Sequence, residues 1–406
     1  MNQACARNDT IDASNHHGRP QYRPFLQFLT TQERSVIWLL LAIPGWLKFG
    51  IHLNAAFMSI TGLLGVLATL GAIAIAFGIK RIPWRTPLRI LIASYRFSFG
   101  VGVVQWLSIH LHIKPLTDYF AHLMYRQYIN ESSVWGGGRS QFLFAEPSYI
   151  GMHLFGVLLP LMWLMRGRDR IYAKRLRNLI VVYAIGAVLM QAGTRIVLDS
   201  VVALLVAIIV HNSWCDKKQR VRGIAQLLGA VMLGLLGVLA DSRLSSIAEN
   251  GAEGDGSFFA RIYQSLDPIC GLLAHPWTVL TGYGSGNIIN AVWAGAKHAG
   301  RLLNGLGMNG SAAVGFAAGM NADTVWTMCA YTSVVAEYGL VGLALLIFAS
   351  IVSMTRVFDT AAAGHGVWSK TVICWLVLIV YLYIQCENYA FAALPLFIFA
   401  ASKLRK

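Results

Sequence analysis

Glu146-Pro147-Ser148 sets a carboxylate at the opening of a helix, with Arg139 a few residues earlier; further along, Arg195 and Asp199 lie one helical turn apart. A carboxylate can take a proton from a hydroxyl group, and arginine presents a planar fork of donors suited to phosphate oxygens. A pyrophosphate held at a membrane surface needs more than one such fork. Ordinary readings compete at each position. Glu146 equally marks a helix start, favoured by the positive end of the helix dipole, with Pro147 where its missing N–H costs nothing. Arg195 also reads as an interfacial arginine snorkelling to headgroups, and Asp199 reads first as its structural partner across an i,i+4 spacing. Ionisable residues at that depth of an apolar helix are usually paired or functional. Asp323, just ahead of a later apolar run, and Glu387 with Asn388, between the last two runs, can face the same cavity as Glu146. Helix capping and interface solvation are their ordinary roles. His298, beside Lys297, is a lone loop histidine.

The elements that must position these groups are apolar helices. The chain of 406 residues is 56% hydrophobic and 13% charged, with a mean hydropathy of +0.57, whereas soluble domains carry roughly a quarter charged residues. Apolar runs recur at 35–51, 55–78, 87–109, 147–165, 179–192, 196–210, 224–240, 325–352, 371–385 and 389–401. Their lengths are near the ~20 residues a helix needs to cross a bilayer, and only internally bonded backbone is stable there. An all-α polytopic membrane protein of about ten transmembrane helices is therefore expected.

The net charge of +15 falls in short clusters between the runs and makes no continuous nucleic-acid face. Lys80, Arg81 and Arg85, then Arg166 to Arg177, then Lys217 to Arg222 mark cytoplasmic connections. Alternation from a cytoplasmic N-terminus puts all of them inside, with Lys403, Arg405 and Lys406. The expected parts are a cytoplasmic tail (1–34), seven spans (35–240), a long extracytoplasmic loop (241–324), three spans (325–402) and a cytoplasmic end (403–406). Lys114, Arg126, Arg139, Arg195, Arg243, Arg261, Lys297 and Arg301 then lie outside, against the positive-inside bias, where a solvated loop is the ordinary explanation for any one of them. A loop as long as 241–324 is expected to cover a site on the outer face. Its stretch 301–320 is expected to be amphipathic or re-entrant.

Several patterns point to no chemistry. Gly282-Tyr283-Gly284-Ser285-Gly286-Asn287 matches neither a dinucleotide-binding nor a P-loop pattern and reads as a tight turn. Glu249, Glu253 and Asp255 lack the ordered positions of a calcium loop and read as solvated loop. The six cysteines are scattered and support neither a zinc site nor a disulfide framework. No internal repeat or inverted pair of broken helices is visible, which weakens a transporter reading.

Arg139 followed by Phe142-Leu143-Phe144-Ala145-Glu146-Pro147-Ser148-Tyr149-Ile150-Gly151 resembles the Wzy-type polysaccharide polymerases. Gly193-Thr194-Arg195, Gly256-Ser257-Phe258-Phe259-Ala260-Arg261, the Gly-rich turn, and Glu337-Tyr338-Gly339-Leu340-Val341-Gly342-Leu343 follow in the order of that family. The resemblance implies a GT-C-like membrane glycosyltransferase in the bacterial inner membrane, acting on undecaprenyl-diphosphate-linked oligosaccharides at the outer face. Arg139, Arg195 and Arg261 would hold the diphosphate, with Glu146 the first candidate base and Asp323 the second. The implied partners are the lipid-linked substrates, a chain-length regulator and a flippase, with no nucleic acid. No DxD sequence is present, so no metal or other cofactor is expected. O-antigen ligases tend to carry a histidine shortly before an Asn late in the long loop; here Met320 precedes Asn321, which favours polymerase over ligase. A flippase, or a structural subunit of an export complex, are the readings from other classes.

Overall fold

The computed structural model describes residues 35–361 except 81, 125, 131–136, 241, 326 and 328, together with Leu378, Tyr381 and Ile398. The tail before residue 35, the runs 371–385 and 389–401, Glu387, Asn388 and the basic C-terminus lie outside the described residues. Every regular element among the described residues is helical. The first are α1 (Ser35–Phe49), α2 (Leu53–Ala74), α3 (Arg85–His110), α4 (Lys114–Leu123), α5 (Tyr149–Arg166, with a π turn at Leu154–Leu158), α6 (Arg170–Leu189), α7 (Thr194–His211) and α8 (Lys217–Ala240). Helices α3 and α5 and the stretch Lys217–Gly237 of α8 are long and apolar enough to cross a membrane. Leu39–Phe49 and Tyr331–Leu345 are shorter apolar helical stretches.

The distribution of apolar side chains suits a lipid solvent. Leu47, Leu53, Phe57, Val182, Ile185, Leu189, Leu228, Leu236 and Leu239 stand exposed on α1, α2, α6 and α8. Apolar surface on that scale is unusual for a protein in water. Helix α5 differs, because Leu154 to Met165 are buried all round, as in a central helix. Around it α3, α6 and α7 close the largest core, from Phe77 to Val206, with Leu378 and Ile398 added. Polar contacts cross this core, with Ser98 Oγ 2.9 Å from the Tyr183 hydroxyl and the Tyr95 hydroxyl 2.6 Å from His153 Nδ1. Such bonds tie helices together where apolar contact alone is not selective.

Short turns make α5, α6, α7 and α8 alternate in direction. Arg85 pairs with Asp169 at 3.5 Å, so the start of α3 lies at the α5–α6 turn. That end of the bundle carries Arg85, Arg166, Arg170 and Lys217; the opposite end holds the last turn of α3 and the start of α7.

The stretch 241–324, expected as a long connection outside the membrane, is built mostly of helices. It holds α9 (Ser242–Asn250), α10 (Gly256–Ala274), α11 (Thr278–Thr281), α12 (Ile288–Gly305) and α13 (Gly310–Ala318). A Cβ on Gly271 would lie 2.0 Å from the Ala291 carbonyl oxygen, and one on Gly295 1.9 Å from that of Asp267. Only glycine lets α10 and α12 approach so closely. Residues 301–320 form the end of α12 and a return helix that buries Leu303, Ala313 and Ala317. The acidic patch has structural work: Asp255 caps α10 through Phe258 N–H at 2.8 Å, and Glu253 accepts from the Asn309 N–H. Cys270 and Cys329 are free, while Cys215 is disulfide-bonded, which its isolated position in the sequence did not suggest.

The expected span 325–352 is not one straight helix. Helix α14 (Ala330–Ala361) is broken at Gly339, where φ is 68° and ψ −171°, a region open in practice only to glycine.

Candidate functional site

The first feature of the site is a re-entrant segment. Gln105, fully buried on α3, accepts through Oε1 from the backbone N–H groups of Gln141 (3.2 Å) and Phe142 (2.8 Å) and from Ser140 Oγ (3.2 Å); its Nε2 donates to the Phe142 carbonyl at 2.9 Å. Phe142, at φ 58°, inserts its ring where a Cβ on Gly102 would stand, and stacks on Tyr183 with centroids 5.1 Å apart. Leu143 N–H reaches Ser98 Oγ at 3.4 Å. Ser98 lies seven residues before Gln105 on α3, so the segment runs roughly 10 Å along that helix before α5 begins. Non-helical backbone at such depth is tolerated only where protein satisfies it, and here the Gln105 side chain does so.

Two expected site residues, Arg139 and Glu146, lie on either side of this segment. Glu146 pairs with Arg126, and Ser148 Oγ donates to Glu146 Oε2 at 3.1 Å. Arg139 lies over the Tyr128 ring at 5.6 Å and donates its backbone N–H to the Tyr128 carbonyl at 3.0 Å.

Pro147 and Gly151 bring α7 into the same place. A Cβ on Gly193 would touch Pro147 at 3.5 Å, and one on Gly151 would lie 2.0 Å from Asp199 Oδ2. Asp199 is fully buried, with Arg195 Nε 3.3 Å from Oδ2. Arg261 of α10 is close enough to act electrostatically on Asp199, and the Tyr381 hydroxyl lies beside the carboxylate. Two expected diphosphate-binding residues, Arg195 and Arg261, thus both act on one carboxylate, Arg195 in contact and Arg261 from further off, although 66 positions separate them (261 − 195). Gly151 explains part of the motif: any larger residue would displace Asp199.

Compared with protein-family models, with curated proteins and with solved structures, the chain gives no match.

Asp323 is placed among other groups. It is exposed in the turn after α13, accepts from Asn54 Nδ2 of α2 at 2.7 Å, and takes its backbone N–H bond to Asn321 Oδ1 at 3.0 Å. The Gly-rich turn and the Glu337 motif prove to be one unit. Tyr283 and Gly284 N–H donate to the carbonyls of Ala336 (2.8 Å) and Glu337 (3.0 Å), and Gly286 N–H donates to Glu337 Oε1 at 2.7 Å. Ser59 Oγ of α2 completes the carboxylate at 2.9 Å, and Trp46 Nε1 of α1 donates to the Ser285 carbonyl at 2.8 Å. Both motifs therefore join α1, α2 and α14 to the helical cap.

Sequence reading passed over Gln105, Arg126 as the partner of Glu146, Tyr381, and Asp267. A glutamine within an apolar run and an arginine on the disfavoured side were the available signals for the first two. Asp267 of α10 is 2% exposed, and burial pushes its carboxyl up to about 7. Among the described residues, no group of three or more His, Cys, Asp or Glu is placed to hold a metal.

Proposed function

We propose that this chain joins undecaprenyl-diphosphate-linked oligosaccharide repeat units into a long polysaccharide at the outer face of the bacterial inner membrane. In this reading the basic end of the bundle is cytoplasmic, both termini are inside, about ten helices span the bilayer, and the architecture is of the GT-C kind. The observation that carries it is the convergence of Arg195 and Arg261 on Asp199, beside the Glu146 segment. Guanidiniums gathered from two helices beside one buried carboxylate suit an anion.

The chemistry needs a leaving group and a base. The bond from the sugar C1 to the diphosphate oxygen breaks, with its electron pair going to the diphosphate held by Arg195 and Arg261. An acceptor hydroxyl forms the new C1–O bond and gives its proton to Glu146, with Asp323 the second candidate. Arg139, in the same re-entrant segment as Glu146, is the third expected contact to the diphosphate. A chain-length regulator and a flippase would act alongside, and no metal or other cofactor is part of the proposal.

Transport of the same lipid-linked substrate is the second reading. It is favoured by the re-entrant segment at 140–148 and the break at Gly339, since interrupted helices line transporter sites. Ligation to lipid A core is the runner-up within enzymes. Polymer length in cells carrying Glu146→Ala, Arg195→Ala or Arg261→Ala, with membrane level measured alongside, tests the proposal. Accumulation of single repeats by normally inserted variants is the expected result. Normal long polymer in all three would remove the site assignment, and lipid-linked units held on the cytoplasmic side would favour transport.

A further inference from the structure

The basic end of the bundle, opposite the Arg195 centre, contains a cavity of about 320 Å³ between α3 and α6, lined by Arg89, Ile92, Ala93, Arg96, Tyr172 and Arg175. Arg89 and Arg96 are seven residues apart and so share one face of α3. Arg175 lies over the Tyr172 ring at 5.4 Å, which holds its guanidinium at the cavity wall. The nearby carboxylate of Asp169 is already engaged, accepting from Ile171 and Tyr172 N–H and pairing with Arg85. Among the described residues, no carboxylate pairs with Arg89, Arg96 or Arg175.

A topology signal needs cations only in the connection between spans. Arg96 is 11 residues into α3, roughly 16 Å from its first residue. Ile90, Phe97 and Ile171, each next to a lining residue in the chain, stand exposed. Guanidiniums bordered by exposed apolar side chains lack a counter-charge from protein, and an apolar medium supplies none except through a lipid headgroup. Soluble phosphate would match the guanidiniums but would make no use of the apolar border.

We propose that this cavity binds the phosphate of an anionic phospholipid, with Arg89, Arg96 and Arg175 donating to its oxygens and the acyl chains lying along Ile90, Phe97 and Ile171. The site is separate from the proposed polymerase centre and does not depend on that reading. Its place beside α3 and α6 lets a bound lipid brace the helices that carry Gln105 and Tyr183, which hold the re-entrant segment at their other ends.

The test uses the full chain purified in detergent, delipidated, and titrated with phosphatidylglycerol, phosphatidylcholine or inorganic phosphate while bound lipid is counted by native mass spectrometry and the thermal midpoint is followed. Phosphatidylglycerol is expected to bind and raise the midpoint, with affinity falling about fivefold for each arginine changed to glutamine, the weight of one basic residue at an anionic surface. Lys217→Gln with Lys218→Gln, at the same end of the bundle but outside the cavity, serves as the charge control and should bind as the unaltered chain does. Equal binding of phosphatidylcholine, or full binding by the Arg89→Gln, Arg96→Gln, Arg175→Gln triple variant, would overturn the proposal. A midpoint shift reproduced by inorganic phosphate alone would overturn the lipid assignment. Should the triple variant not be recovered, Arg96→Gln and Arg96→Lys are compared singly: loss in the first with partial recovery in the second is expected, and no change in either overturns the site.

Discussion

Asp199 and Glu337 are both buried carboxylates, 0% and 6% exposed, yet their surroundings differ in kind. Glu337 accepts from the Gly286 N–H and the Ser59 hydroxyl, which join the helical cap to α2. Asp199 is set among charges, with Arg195 at 3.3 Å and Arg261 within electrostatic reach. Neutral donors fix a carboxylate in place and add no charge for a ligand to use. Cations brought from two separate elements offer donors that a ligand can use, at the cost of desolvating the carboxylate between them. Burial alone therefore does not mark a functional acid; the sign and origin of its partners do.

The largest effect that sharpens this contrast is expected from Asp199→Asn. It keeps the side-chain shape but removes the charge that Arg195 pairs with; on the proposed polymerase reading, long polymer should fall by a factor of about 100 or more while membrane level is retained. Full-length polymer from that variant would reduce Asp199 to a packing residue.

Glu337→Ala should act the other way, lowering protein level before any specific loss of activity. It leaves the buried Gly286 N–H and Ser59 hydroxyl without their acceptor, a cost of about 2–4 kcal/mol, readable in the thermal midpoint of the purified chain. Normal stability with selective loss of polymer would move Glu337 into the same class as Asp199.

Gly339→Ala tests the same structural unit by a different route. Its Cβ would stand 2.2 Å from the Leu280 carbonyl oxygen, in backbone that only glycine adopts readily. A loss of about 1–3 kcal/mol is expected, and an unchanged denaturation midpoint would show that the break in α14 is easily straightened.

Asp267 supplies the smallest effect and a third kind of environment, burial with little compensation. Its carboxyl keeps a proton up to about pH 7, whereas an unfolded aspartate releases its own near pH 4. The native state thus binds the extra proton in that window, so stability falls as pH rises from about 4 to about 7 and is level above it. Asp267→Asn should match the unaltered chain at pH 4 and melt higher at pH 8. Parallel pH profiles for the two proteins would mean that Asp267 is ionised at no cost.

Helical class, apolar runs and basic connections were legible because lipid imposes composition on any chain that crosses it, and α3, α5 and α8 followed from residue type alone. The pairing of Arg195 with Asp199 was also legible, since i,i+4 contact is a local property of a helix. Arg126 as the partner of Glu146 was not, because an irregular segment has no period from which contacts can be counted. That the connection 241–324 is itself built of helices was not legible, because small residues dilute hydropathy; in the fold those same glycines bring α10 and α12 together.

By itself the sequence determined that this protein is a helical protein with an apolar exterior and with its basic residues clustered between apolar runs. Only the tertiary structure decided that the Glu146 segment descends beside α3, that Arg261 reaches the Arg195–Asp199 pair, and that the Gly-rich turn and Glu337 form one joint. The reason is physical: composition and helical spacing act within one element, whereas those contacts depend on how backbones approach one another, set by Gly151, Gly286 and Gly339.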